Sequence, residues 1–463
     1  MNCRAPLSLA LLLLALPSLA RAEEASPSAA PKVVPATRPA MKQALEDLKK
    51  RSPRIPPPEL SADEQARLGE RGQGIESRLR AKYLPASDGR SAEFGREPDP
   101  HMSLSYEFKT RLFWIVSRTN NCHYCMGHQE IKLALAGLRE DEIAALDGDW
   151  AEFTPAEQAA FRFARRLTFE PHLLADADID ALRPHYTDLQ ILEMVFSIAG
   201  NNAINRWKDS LGIPQEPEAS RFLTRLSGPP PTDRPLPVKS FLTPTSSKNL
   251  DRLSHVAPLR SESEEAAPAQ ASLRRRPPLE SREQVEAALA AARARQPRLP
   301  VATEAEARAI LPESWPAGPL PQWVLVLANF PRDGRGRILG IQQADDQLDL
   351  DPKLRAQVSW IAARQDRAWY AVGHAQRKLR ELGASDDEIF VLDGDWSQFT
   401  PAEQAAFGFS KKLAATMDLV SDADVAHLRE HLSDRDIVQL VHFLTTRAFF
   451  NRVTEAAGLQ LEQ

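Results

Sequence analysis

At 463 residues the chain exceeds what one hydrophobic core usually organises, so two or more domains are expected. Apolar residues at 43% and charged residues at 26% are ordinary for a soluble globular protein. A formal charge of -5 excludes both a basic nucleic-acid footprint and a strongly acidic tail.

Residues 1–22 read as a secretory signal: Arg4 supplies the basic region, Leu7 to Leu19 the apolar run, and Ala20-Arg21-Ala22 a small-x-small cleavage site. Cys3 leaves with it, and the mature chain begins at Glu23. The run is short for a membrane span and is broken by Pro17, and no later segment is apolar for long enough to cross a bilayer. The expected product is exported, periplasmic or extracellular, with no membrane span after signal cleavage. Residues 23–60 are rich in Ala and Pro and contain Pro56-Pro57-Pro58, which predicts a flexible or extended spacer. A first helical domain is expected at 61–214. From Pro214 to Pro300 the chain then holds 14 of its 37 prolines, and 215–315 reads as linker. One helix is predicted inside it, Arg282 to Arg295, opened by Ser281 and Gln284 as a capping box. A second domain at 316–463 completes two bodies on a long tether.

The two domains are copies. Leu146-Asp147-Gly148-Asp149-Trp150 recurs as Leu392-Asp393-Gly394-Asp395-Trp396, an offset of 246, and 15 of 18 positions match over Leu146 to Phe163. The register holds without a gap from Trp114/Trp360 to Asn205-Arg206/Asn451-Arg452. Thr154-Pro155-Ala156-Glu157 is a capping box with Pro at the first helical position, and Ala160, Phe161, Ala164 and Leu167 trace one helix face after it. The same cap and face recur at Thr400 to Leu413. Leu189, Leu192, Val195, Phe196 and Ala199 form another apolar stripe, and neither copy shows a strand alternation. An all-α protein follows, each copy a bundle of about five or six helices.

The segment with chemistry runs from Ser117 through Cys122-His123-Tyr124-Cys125 to His128. Apolar patterns on both sides predict a helix ending near Arg118 and another carrying both cysteines in its first turns, with Asn121 as its cap. The positive end of that helix would favour thiolate over thiol. Residues three apart share a helix face, so Cys122 can meet Cys125, and Cys125 can meet His128. A redox dithiol needs one sulfur to attack, another to resolve and an imidazole to move the proton. Other uses of the pair remain. A c-type haem would need His directly after Cys125, where Met126 stands; zinc would need a ligand such as His101 or His172; a structural disulfide or two idle buried thiols are the rest. No metal or cofactor is expected.

The helix, the polar turn, Asn-Cys-x-Tyr-Cys and the nearby His resemble the carboxymuconolactone decarboxylase family, in particular its alkyl hydroperoxidase D-like branch. The likeness covers Ser103 to Pro214 and, through the repeat, Asp349 to Leu461. It implies two helical bundle domains of that kind joined by the Pro-rich linker, and oligomeric assembly. It also implies Cys125 as the sulfur that attacks a peroxide, Cys122 as its resolving partner, and His128, with His123 and Glu107, in the proton relay. Some positions depart from the family pattern: Gln129 stands where the relay His usually lies, His123 follows the first cysteine instead of preceding the second, and Thr110 replaces the relay carboxylate, which leaves Glu107 nearly a turn further back.

In the second copy Ala368 and Ala371 replace the cysteines, while His374 corresponds to His128 and Tyr370 to Tyr124. The pair Asn205-Arg206, repeated as Asn451-Arg452, is expected to cap the last helix, or else to bind an anion. Asp-Gly-Asp-Trp reads as a turn with an aromatic anchor. The function expected is an exported thiol-dependent peroxidase or disulfide-exchange protein with peroxiredoxin-like activity, using a peroxide or disulfide substrate and an external thiol reductant. A cofactor-free lyase or isomerase acting on a small organic acid, and a non-catalytic helical scaffold with a local disulfide, are the alternatives.

Overall fold

Thr154 and Thr400 start their helices as the capping box requires: each hydroxyl accepts the backbone N–H of the Glu three residues on, and that Glu accepts the Thr N–H. The computed structural model describes residues 31–68, 74–85, 99–215, 240–243, 246, 253–258 and 276–462. The predicted signal at 1–22 lies outside the described residues, as does the Gly228-to-Pro231 run. Among the described residues all regular structure is helical, the class expected.

In chain order the α-helices are α1 (Arg38–Asp47), α2 (Ala62–Leu68), α3 (Ile75–Tyr83), α4 (Tyr106–Thr119), α5 (His123–Leu135), α6 (Glu140–Ala145), α7 (Pro155–Phe169), α8 (Asp176–Asp180) and α9 (Asp188–Ser210). Then come α10 (Arg282–Ala294), α11 (Glu304–Ile310), α12 (Gln322–Leu327), α13 (Asp333–Asp346), α14 (Pro352–Asp366), α15 (Trp369–Glu381), α16 (Asp386–Val391), α17 (Pro401–Ala415), α18 (Asp422–Arg429) and α19 (Asp434–Ala456). The first residues of α5 to α9 reappear 246 positions later as those of α15 to α19. The sequence repeat is therefore a structural one.

The 23–60 stretch is not all spacer, because it contains α1. Thr37 caps this helix ahead of Pro39, and Met41, Leu45 and Leu48 bury one side of it. Proline at a first turn is compatible with helix, which the composition alone conceals. Helix α1 packs on α5 and the predicted linker helix α10 packs on α15, so the two are counterparts. After each, an arginine ties the arm to the end of its own long helix: Arg54 N–H donates to Leu211 O (2.9 Å) and Arg298 N–H to Ala457 O (2.7 Å). The repeat thus begins well before Ser103.

The expectation of two bodies on a tether also gives way. Helices α9 and α19 pack against each other, and Arg206 reaches across to Leu413 O (3.2 Å) and Ala414 O (3.4 Å). Arg452 makes the reciprocal reach to Leu167 O (3.1 Å) and Thr168 O (3.2 Å). These carbonyls belong to the last turns of α17 and α7, which lack partners within their own helices. Each arginine therefore caps a helix of the other copy, not its own last helix as expected from sequence. The pattern is that of an isologous dimer interface built inside one chain.

Candidate functional site

Helix α4 ends in a Schellman turn: Asn121 N–H donates to Arg118 O (3.1 Å) and Cys122 N–H to Ser117 O (2.9 Å), with Asn121 at φ 53°. Asn tolerates this left-handed backbone better than most residues. The same turn in the second copy uses Arg367 at φ 49°. Asn121 thus closes α4, and Cys122 occupies the N-cap of α5 with no side-chain cap bond, a correction to the predicted cap. Cys125 follows in the first turn. Both are free thiols, 0% and 1% exposed.

Burial pushes the Cys125 thiol well above the usual range, and its hydrogen bond with Cys122 and that sulfur's charge push the same way; Lys208 and Asn205 oppose them. The expected thiolate-favouring shift is overturned by magnitude. A helix terminus contributes about 0.3–1 kcal/mol, whereas full burial shifts a group by up to about 3–5 pKa units.

His123 is buried, and its Nε2 lies 2.9 Å from Asn121 Oδ1, so it braces the turn. Burial, then the charges of Lys32, Arg118 and Arg51, hold it neutral, well below the ordinary imidazole range. His128 stacks on Tyr124 with ring centroids 4.2 Å apart; its Nδ1 is 3.1 Å from Tyr124 O and 3.3 Å from Gln215 Nε2. Burial first, then Lys208 and Lys132, bring it down to about 3. His128 therefore stands one turn beyond Cys125 as a neutral imidazole but a weak proton acceptor, a correction to the relay role expected of it. Glu107 does not join this group. It sits in the first turn of α4, about 18 Å of helix from the turn that precedes Cys122, and pairs with Arg111 at 2.5 Å.

Three further residues surround the pair. Lys208 of α9 is buried, lies 4.3 Å from the Tyr124 ring centre and 3.3 Å from its Oη, and pairs with Glu76. Gln129 Nε2 donates to Cys125 O (3.1 Å), while its Oε1 is buried without a partner among the described residues. Asn205 accepts from Asn120 Nδ2 (2.9 Å) and donates to Ser117 Oγ (3.3 Å), and it favours the Cys125 thiolate. A signal for two of them was available: Lys208 and Gln129 are replaced by Thr454 and Ala375 in the copy that lacks the cysteines.

The Asp-Gly-Asp-Trp turns do anchor their tryptophans, whose Nε1 donates to Leu146 O and Leu392 O at 2.9 Å. Sequence reading missed their second role. Asp147 takes a forked pair from fully buried Arg118 (2.9 and 3.1 Å), and Asp393 takes Arg364 Nε at 2.9 Å. His101 and His172 are engaged with Asn329 O and Arg276. Among the described residues one group has metal-ligand spacing, the exposed His427, Glu430 and His431, whose ligand atoms lie within 4.8 Å of one another. No helix among the described residues is long and apolar enough to cross a membrane. No protein-family model matches the chain, and no curated protein matches it significantly.

His442, at about 3 through burial and then the charge of Arg80, joins His123 and His128 as a neutral histidine. Their folded values lie below the unfolded value near 6.5, so the unfolded chain binds more protons as pH falls from 6.5 toward 3. Stability from these groups is complete above pH 6.5 and is lost below it, by up to about 1.4 kcal/mol per pH unit for each. Urea midpoints should fall steadily from pH 7 to pH 5, with a shallower slope in His442→Gln. A flat profile would contradict the assignment.

Proposed function

We propose that the first copy is a two-electron thiol oxidoreductase, a thiol-dependent peroxidase or disulfide-exchange centre that cycles Cys122 and Cys125 between dithiol and disulfide. The observation that carries this reading is two free, buried thiols three residues apart at the start of one helix, with a neutral histidine one turn on. With a peroxide, the Cys125 sulfur attacks one oxygen, the O–O bond breaks, and the thiol proton leaves with the departing alcohol or water. Cys122 then attacks the resulting sulfenic acid, forming the S–S bond and releasing water. An external dithiol or two monothiols restore the pair. Burial makes deprotonation of Cys125 uphill, so on this proposal the thiolate forms with substrate in place, where Lys208 and Asn205 favour it.

The resemblance to the alkyl hydroperoxidase D-like branch supports the same chemistry. On this proposal the chain is a tandem of two such bundles, exported, with the second copy a structural partner for the first. Titrating the reduced full chain with hydrogen peroxide tests the reading. Two thiols should disappear per peroxide consumed, leaving an intramolecular disulfide found by mass spectrometry; oxidation to sulfinic or sulfonic acid without a disulfide would count against it.

A further inference from the structure

In the second copy, a cavity of about 280 Å³ opens at the position that Cys125 holds in the first, between α13, α14, α15 and α19. Its wall includes Ala371 and Ala375, at the positions of Cys125 and Gln129, and Asn451, at that of Asn205. The space is roughly that of nine water molecules, enough for a ligand of about as many non-hydrogen atoms.

The charges around it were reset along with the volume. Arg355 stands where the first copy has Lys109, and Arg447 where it has Asn201; both are 9% exposed and line the cavity. Arg447 pairs with Asp345 (3.1 Å) and lies over the rings of Phe443 and Phe450, at 5.1 and 5.0 Å, with its Nε buried and without a hydrogen-bond partner among the described residues. Arg355 donates to Leu348 O (2.9 Å), and among the described residues no carboxylate pairs with it. Asn451 has turned its Nδ2 to Asp366 (3.1 Å), which leaves its Oδ1 buried without a donor among the described residues. A buried cation without a counter-charge and a buried polar atom without a partner each cost free energy, and a ligand that completes them would recover it.

The charged lining leans cationic, four basic side chains and His374 against Asp345, Asp346 and Glu381, and the apolar wall is alanine and phenylalanine. We infer that the second copy is a binding site for a small carboxylate with an apolar body of about six carbons, its carboxylate at Arg355 and Arg447 and its chain against Phe443, Phe450 and Ala371. Loss of the cysteines has converted a thiol site into a receptor pocket. This inference does not rest on the redox reading of the first copy.

Calorimetry and thermal unfolding of the full chain with hexanoate, hexanamide and acetate test it. Hexanoate should bind and raise the melting temperature, with hexanamide and acetate each at least about tenfold weaker. Arg355→Gln should weaken hexanoate at least about tenfold. Ala371→Leu, which fills the cavity and leaves every charge in place, should abolish binding even if Arg355→Gln fails to fold. The Cys122→Ser/Cys125→Ser double variant should bind as the parent does. Equal binding of hexanoate and hexanamide, or of hexanoate and acetate, would overturn the proposal, as would hexanoate binding that survives Ala371→Leu.

Discussion

Asp366→Ala is expected to destabilise the chain by about 3–5 kcal/mol, the cost of leaving a buried cation without its counter-charge. Asp366 is 2% exposed and accepts from Asn451; it lies 3.4 Å from Arg452 Nη1 and 3.9 Å from Arg276 Nη2. Burial lowers the affinity of Arg452 for its proton, and Asp366 opposes that. Burial and then the charge of Arg452 lower Arg206 as well, again against Asp366. The remaining partners of the two arginines that cross between copies include an amide and several backbone carbonyls, which satisfy N–H groups without neutralising charge. Chemical denaturation should show the loss. Adding Arg452→Met should cost less than the sum of the single changes, because the stranded charge goes with it. The exposed pair Arg429–Asp434 is the comparison: Asp434→Ala should cost no more than about 1 kcal/mol. A loss below about 1 kcal/mol in Asp366→Ala would mean that this carboxylate does not hold the two copies together.

Cys125→Ser should abolish peroxide consumption, on the order of a thousandfold or more, since an alcohol cannot replace the attacking sulfur. Cys122→Ser should retain the first step and stall, accumulating a sulfenic acid or a mixed disulfide at Cys125. His128→Ala should slow the first step by about tenfold or less, because an imidazole held at about 3 is a weak base at neutral pH. Because burial raises the Cys125 thiol, the rate of its alkylation should climb about tenfold per pH unit through neutral pH, with no plateau below pH 8. Because His128 stays neutral down to about 3, no step near pH 6.5 should come from it. Glu107→Ala should leave turnover unchanged, since that carboxylate lies at the far end of α4 beside Arg111. Full activity in Cys125→Ser, with loss in Cys122→Ser, would exchange the two roles.

Local signals were the most legible part of the sequence. Thr154, Thr400 and Ser281 each form the capping box that their spacing implies, and the offset of 246 carries into the helix starts. What the sequence could not convey depends on tertiary surroundings. Helix α1 was hidden because Ala and Pro suit an extended arm as well as a capped first turn. The direction of the Cys125 shift depends on depth of burial, which no local pattern encodes. Glu107 lay near enough in sequence to invite a role, but α4 runs straight and carries it away. Arg206 and Arg452 looked like caps of their own helices; only the packing of α9 on α19 shows that each caps a helix of the other copy.

The reduction potential of the Cys122–Cys125 pair in the full chain tests the central proposal most directly. A dithiol that turns over should equilibrate between about -270 and -120 mV and re-form its disulfide on each addition of peroxide. A potential below about -300 mV with no peroxide consumed would identify a structural disulfide and contradict the account.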